Sequence, residues 1–378
     1  MKFLLPLILL SLMPFSVFAQ DVPKPEISAK QAYVMDFQTG ATLYDKNGEE
    51  RTPTSSMSKV LTAIVADDAL RDGTVTKEQM VTVSEKAWKT EGSRMFLDIN
   101  SQVSIDDLMH GIIIQSGNDA CVALAEGIAG STANFVIMMN KKAAEIGMKN
   151  SHFMNVDGLP DPEHYSTAQD LALMASYLIK TYPEEYKLYS QKEFTYNNIK
   201  QGNRNPLLYR NIGADGVKTG HTEVGGYGMI GSAVAGDRRV IVVINGTSSM
   251  QVRADESAKL TEWALTSFKN INLIDKGAMM AEASVVLSDT RKMKLLSSES
   301  YLATVPSFSK DAGKVIVTYK SPLVAPIKQG DVLGTASFAL PDGSMKEVPL
   351  IAANDAEQSS FFKRLFEKLM ILAVGVPE

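Results

Sequence analysis

Ser56 and Lys59 stand three residues apart in Ser56-Met57-Ser58-Lys59, a spacing that puts a hydroxyl and an amine on one face of a helix. A serine at its ordinary acidity is a poor nucleophile, and a neutral amine within reach can take its proton during attack. Burial and a second cation nearby would lower the Lys59 pKa toward that condition, and Lys218 is the candidate second cation. Lys218 belongs to Lys218-Thr219-Gly220, which leads into an alternating apolar segment, and Ser116-Gly117-Asn118 lies between the two motifs. In this reading Ser116 relays a proton toward the leaving group and Asn118 holds substrate through its amide. Each motif alone is ordinary. Ser-Gly-Asn is commonly a turn or a helix cap, and Ser-x-x-Lys recurs at Ser307 to Lys310, between Pro306 and the turn-like Asp311-Ala312-Gly313, where it reads as a solvated loop. Three such motifs in this order describe one site for nucleophilic chemistry.

The elements that must position them can be read from periodicity. Ala32–Asp36 and Ala41–Tyr44 alternate around Gly40 as a hairpin, and apolar residues at helical spacing predict a helix from Ser56 to Leu70. Further helices are predicted over Asn118–Ile128, Phe135–Ile146 and Ala168–Ile179, a mainly helical block. Strands return at Tyr227–Val234 and Val240–Ile244 around the Gly236-Asp237 turn, followed by a closing helix from Arg253 to Phe268. Beyond Asn270 the chain turns to short β runs, among them Ala283–Leu287, Lys314–Tyr319 and Val332–Phe338, which predict a small β domain with no chemistry of its own.

The chain ends bear on location. Met1-Lys2, an apolar run from Phe3 to Phe18 and then Ala19 read as a secretory signal peptide over 1–19. The run falls short of the roughly 20 residues a membrane span needs and contains Pro6 and Pro14. At the other end Phe361, Phe362, Leu365, Phe366, Leu369 and Met370 repeat at helical spacing opposite Lys363, Arg364, Glu367 and Lys368. That pattern predicts an amphipathic helix lying in a membrane interface, with docking on the β domain as the alternative. The expected organisation is therefore a signal peptide at 1–19, a catalytic domain over 20–270, a β-rich domain over 271–358 and an anchoring helix over 359–378.

Composition excludes other classes. The net charge of -5 is mild, with no basic stripe, which argues against nucleic acid as a partner. Four histidines without ligand spacing leave no metal site to expect, and no phosphate-binding or dinucleotide glycine pattern calls for a cofactor. The single cysteine, Cys121, lies in the apolar run Ala120–Leu124 and reads as a small core residue.

Taken together, the signal peptide, the three motifs, Glu91–Leu97 between the first two, the β-rich second domain and the terminal helix resemble the D-alanyl-D-alanine carboxypeptidases among low-molecular-mass penicillin-binding proteins. These belong to the serine β-lactamase and transpeptidase superfamily. Gly111–Gln115 running into Ser116, and Lys218-Thr219-Gly220-His221-Thr222, look especially like this family. The resemblance implies an α+β fold: an antiparallel sheet flanked by helices with a helical subdomain, then the small β domain. It implies that Ser56 forms the acyl-enzyme, Lys59 is the general base, and Ser116 and Asn118 line the cleft. Lys218, Thr219 and Gly220 would form the edge strand on which substrate docks, and the amides of Ser56 and His221 the oxyanion hole. Thr219, His221 and Arg253 would recognise the substrate carboxylate, although His221 and Arg253 also have plain structural readings. Asp157 stands where some members have histidine, and it is left out of the site. The implied substrate is the peptidoglycan stem peptide, the implied inhibitors are β-lactams, and the implied place is the periplasmic face of the inner membrane. A D,D-endopeptidase and a non-catalytic cell-wall binding protein are the alternatives, and no glutamate between Asn155 and Glu163 is placed to make a β-lactamase.

Overall fold

The computed structural model of the protein describes residues 22–309, 315–339 and 345–374, so the expected signal peptide at 1–19 lies outside the described residues. The chain forms two compact units, one of Lys24–Leu273 with Leu302–Lys310, the other including Ile274–Tyr301 and Asp311–Glu378. The first contains a five-stranded antiparallel sheet of β1 (Gln31–Asp36), β2 (Thr42–Lys46), β3 (Ala214–Thr222), β4 (Gly226–Ala235) and β5 (Arg238–Thr247). The spatial order is β2-β1-β5-β4-β3, which leaves β3, the strand carrying Lys218-Thr219-Gly220, at an edge.

The central strands are apolar on both faces because both faces are covered. Along β5, Ile241 and Val243 enter one core while Val240, Val242 and Ile244 enter the other. Along β1, Tyr33 and Met35 divide from Ala32 and Val34 in the same way. Alternation at period two thus feeds two cores from one strand. The larger core receives α1 (Lys59–Arg71), α2 (Asn118–Ala129), α3 (Thr132–Ile146) and α4 (Ala168–Thr181), and the smaller receives α5 (Met250–Ser267). Side-chain caps start three of these: Ser131, Thr167 and Ser249 accept from the amides of Asn134, Asp170 and Val252. The Ser249 cap is why α5 begins at Met250, one turn before the expected Arg253. Helix α1 is buried almost all round, from Lys59 through Asp67, as expected of a helix at the centre of a domain.

A buried ion pair fastens the sheet to the end of α5. Arg238 Nε donates to Asp36 Oδ2 at 2.8 Å, and Arg238 Nη1 donates to the carbonyls of Ala264 at 2.7 Å and Phe268 at 2.9 Å. Asn270 joins Asp36 from the next strand at 3.1 Å, and Thr304 reaches Asn270 Oδ1 at 2.8 Å. The strand Tyr301–Pro306 pairs with Phe268–Ile274, so the chain returns to the first unit well past the composition change at Asn270. The second Ser-x-x-Lys begins in the turn after that strand, where Ser307 is exposed; Lys310 lies outside the described residues.

The second unit is a six-stranded sheet of β6 (Met279–Val286), β7 (Lys292–Ser297), β8 (Val315–Tyr319), β9 (Leu323–Val324), β10 (Val332–Ala339) and β11 (Met345–Ala352), ordered β8-β10-β11-β7-β6-β9. Helix α6 (Phe361–Val374) closes the chain.

One buried acid has no counterpart in this packing. Both carboxylate oxygens of Asp67, on α1, lack a partner among the described residues, as does the hydroxyl of Tyr189. Burial first, and then the nearby Glu185, push the Asp67 carboxyl up to about 8. An unfolded aspartate titrates near about 3.9, so the folded chain holds the extra proton between these values. This contribution favours the fold at low pH and is lost as pH rises from the unfolded value through about 8. We expect the Tm of the mature protein to fall between pH 5.5 and 8.5, and Asp67→Asn to flatten that slope in calorimetric scans. An unchanged slope in the variant would place the proton elsewhere.

Candidate active site

Ser56 sits in a tight 3-10 turn, Ser55–Ser58, that runs directly into α1 at Lys59. The expected helix from Ser56 therefore begins three residues later, and the nucleophile motif spans the junction. Ser55 takes a left-handed φ of 51°, a strained conformation for a residue with a side chain. Hydrogen bonds hold the turn in place. His164 Nδ1 accepts from the amide of Met154, which leaves Nε2 to donate to Ser58 Oγ at 2.7 Å, and Ser58 Oγ meets Thr54 Oγ1 at 2.6 Å. Burial pulls the His164 pKa down to about 4, so this ring is a neutral strut at neutral pH.

Lys59 Nζ donates to Ser56 Oγ at 2.9 Å and to the main-chain carbonyl of Asp157 at 2.5 Å. Lys59 is 1 % exposed. Its pKa lies below the ordinary lysine value chiefly because burial penalises the charge; the Arg204 guanidinium adds to the effect, and Asp157 opposes it. Asp157 reaches Lys59 because the loop crosses the turn at Gly158. Gly158 has φ +82°, and a Cβ there would stand 1.9 Å from Ser55 O. Only glycine permits that approach.

Edge strand β3 supplies the opposite wall. Lys218 and Thr219 are buried, and the Lys218 pKa is driven well down by burial, with Lys59 and Arg204 as further causes. Gly220 passes so close to the nucleophile turn that a Cβ would lie 2.9 Å from Thr54 O and 3.0 Å from Ser55 Cβ. His221 is exposed and stacks on Tyr227 with centroids 3.9 Å apart. Arg253, from the first turn of α5, lies 6.0 Å from the same ring; its Nε is buried without a partner among the described residues. Burial lowers its pKa, and its charge is among those acting on Lys218.

The third wall is the turn before α2. Ser116 adopts a left-handed φ of 69°, and its Oγ is buried with no partner among the described residues. Asn118 Nδ2 donates to Glu91 O at 2.6 Å, and its amide donates to Ser93 O at 2.7 Å, while its Oδ1 is buried and unpartnered. A buried hydroxyl and a buried amide oxygen, both unpartnered, cost free energy unless a substrate uses them.

The structure thus brings Lys59 onto Ser56 and β3 onto their turn, while Ser116 and Asn118 lie buried at the start of α2. Three residues that sequence reasoning did not assign to the site support it. Asp119 is fully buried and accepts from the amides of Met95 at 2.9 Å, Phe96 at 3.0 Å and Leu97 at 3.2 Å, which shapes the Glu91–Leu97 segment. Arg204 donates to Ser93 Oγ at 2.6 Å and adds positive charge near Lys59, Lys218 and Arg253. His164 braces the turn from a loop over a hundred residues away. Arg204 and His164 lie in no periodic pattern, and the helical period that contains Asp119 says nothing of what its carboxylate holds. Cys121 is fully buried, and burial pushes its thiol up to about 12, as suits a core residue.

A serine hydroxyl against a buried amine, beside a lysine-bearing edge strand, defines a serine acyl-transfer enzyme. The family described as D-alanyl-D-alanine carboxypeptidase matches residues 18–249, and the penicillin-binding protein 5 C-terminal domain matches residues 268–358. The chain belongs to this serine peptidase family. It is 37% identical to D-alanyl-D-alanine carboxypeptidase DacA of Haemophilus influenzae over 97% of this chain and 96% of that protein. Identity to DacC of Escherichia coli is 38%, covering 93% of this chain and 90% of that one. The crystal structure of penicillin-binding protein 5 from Haemophilus influenzae is similar with a TM-score of 0.80 at 38% identity, covering 89% of this chain and 100% of that one.

The Asp119 carboxylate accepts from three amides of the Glu91–Leu97 segment, each charge-assisted bond being worth about 1.5–3 kcal/mol. Asp119→Ala is expected to lower unfolding stability by about 3 kcal/mol or more and to slow acylation by a fluorescent penicillin. Denaturant titration and stopped-flow labelling check the two effects, and a variant unchanged in both would show that the segment holds without it.

Proposed function

We propose that the protein is a D-alanyl-D-alanine carboxypeptidase that removes the terminal D-alanine from peptidoglycan stem pentapeptides through an acyl-enzyme at Ser56. The observation that carries this reading is the 2.9 Å contact between Ser56 Oγ and a fully buried Lys59 amine whose pKa is lowered. Neutral Lys59 keeps one N–H on the Asp157 carbonyl and turns its lone pair to the Ser56 hydroxyl. Oγ then bonds to the carbonyl carbon between the two D-alanines while its proton passes to Lys59. As the C–N bond breaks, the leaving amine takes a proton, relayed by Ser116, and D-alanine departs. Water then attacks the ester and restores Oγ–H. Main-chain amides of Ser56 and His221 stabilise the oxyanion, while Asn118 and the β3 residues Lys218, Thr219 and Gly220 hold the peptide. Thr219, His221 and Arg253 receive its carboxylate. A β-lactam acylates the same serine, but its leaving amine stays tethered.

Acylation needs Lys59 neutral, so its rate should rise with pH through the lowered Lys59 pKa, with a midpoint below the ordinary value of about 10.4. Ser56→Ala should abolish both D-alanine release and the penicillin adduct. Lys59→Arg, permanently charged, should cost about 10²–10⁴-fold in acylation. Release assays with a D-alanyl-D-alanine pentapeptide and adduct mass spectrometry read these outcomes. An adduct on another residue, or release that survives Ser56→Ala, would refute the assignment.

The place of action follows from the two chain ends. The signal-like residues 1–19 direct export to the periplasm, and α6 attaches the protein to the outer face of the inner membrane. Among the described residues no single helix is long and apolar enough to span a bilayer. Helix α6 meets the β unit through its polar edge, where Arg291 contacts Glu367 at 2.7 Å, while Phe362 and Phe366 remain 80% and 67% exposed. Exposed phenylalanines on one face suit an interfacial helix. Deleting 359–378 should move the protein from the membrane pellet to the soluble fraction with D-alanine release intact, and persistence in the pellet would overturn the anchor.

A further inference from the structure

Beside α6 lies a groove of about 380 Å³ whose walls are Val286, Leu287, Pro322 and Val324 from the β unit and Ile371 and Leu372 from the helix. Its size falls in the range of small-molecule sites. Lys368 is its sole charged lining residue, and among the described residues no acid lies within ion-pair distance of it. The other two cations of the helix are engaged, Lys363 with Asp289 at 3.1 Å and Arg364 with Gln358.

We propose that this groove takes one acyl chain of an anionic phospholipid, with Lys368 on the phosphate. The proposal rests on the reading of α6 as a membrane helix and extends it from attachment to a lipid site. Three features decide the occupant. The groove runs along β9, the edge strand of the sheet, and prolines stand before and after it at Pro322 and Pro326. Proline has no N–H to offer a ladder, so the edge is blunted against an added peptide strand. An acyl chain asks for no hydrogen bonds and loses nothing there. Next, Leu365, Leu369 and Leu372 follow at i, i+4 and i+7, on one face of α6. Leu372, which is 83% exposed, belongs to both that stripe and the groove wall. A chain lying on the stripe enters the groove by turning over Leu372. Last, Lys368 lines the groove one helical turn before Leu372, which sets a cation beside its mouth where a phosphate can be held.

The test uses the mature full-length chain with vesicles of phosphatidylglycerol carrying a diazirine on one acyl chain, photolysed, digested and read by mass spectrometry. Adducts are expected on the peptides containing Val286-Leu287 and Pro322–Val324 as well as on α6. Val324 is 57% exposed, so Val324→Trp fills the groove from its rim without disturbing the core. It should cut the β-unit adducts at least fivefold while vesicle co-sedimentation and the α6 adducts persist. Lys368→Gln should bring phosphatidylglycerol labelling down to the level seen with phosphatidylcholine. Co-sedimentation with adducts confined to α6 would overturn the groove and leave the anchor standing. A chain that does not sediment with either vesicle would overturn the anchor, and the lipid site with it.

Discussion

An amine that must be free of its proton near neutral pH cannot sit in water, and the first unit is arranged around that requirement. Water would hold Lys59 charged, so its Nζ is enclosed, and α1 is consequently buried on nearly every side. Enclosure creates a second demand, because a buried amine still needs a hydrogen-bond acceptor. A carboxylate would serve as acceptor but would also stabilise the charged form. A main-chain carbonyl satisfies the N–H without adding a full negative charge, and the Asp157 carbonyl does this at 2.5 Å. Arg204, in place of the expected Lys218, is the cation that disfavours the protonated amine, since Lys218 is itself driven well down by burial; Arg204 and Arg253 leave positive charge in the cleft that suits an anionic substrate terminus.

Placing that carbonyl fixes much of the surrounding loop structure. The loop must cross Ser55 at a distance no side chain allows, hence Gly158. The turn it crosses is itself strained at Ser55 and is held by the Thr54–Ser58–His164 chain of hydrogen bonds. Strand β3 must approach the same turn from the other side, and Gly220 permits it. Glycine in Lys218-Thr219-Gly220 is thus a matter of clearance against Thr54 and Ser55. Strain and close approach at one point persist only where the framework over-determines them. Here the framework is a sheet with two cores and the buried Asp36–Arg238 pair at its far end.

What was legible in the sequence was local. Ser56 with Lys59, Ser116 with Asn118, and Lys218 to Gly220 are short-range patterns, and the helices and strands follow from periods of 3.6 and two. The apolar run Val240–Ile244 was legible as a strand, but the covering of both its faces is seen only in the two cores it feeds. The contacts that tune the site were not legible, because they are long-range and use ordinary residues. His164 acts on Ser58 across 106 positions, Arg204 on Ser93 across 111. The return of Tyr301–Pro306 to the first unit is fastened by strand pairing and by Thr304 meeting Asn270 and Thr39, which composition cannot foretell. Helix starts shifted for a local reason that was visible but unused: a serine at 249 caps α5 a turn earlier than the apolar period indicates.

Asp157 attracted notice as a departure from a family pattern. Its role in the structure turns on which of its atoms does the work. The Lys59 amine is held by the carbonyl oxygen, an atom every residue type possesses, whereas the Asp157 side chain accepts from the amide of Leu159 at 3.1 Å and so closes its own loop. A change of side chain at 157 therefore alters the loop's internal hydrogen bonding without removing the acceptor that positions the base. Gly158 stands in the opposite case, since any Cβ there would strike Ser55 O and lift the loop, carrying the Asp157 carbonyl away from Lys59. The constraint on the site thus falls on the backbone path at 158 more than on the chemistry at 157.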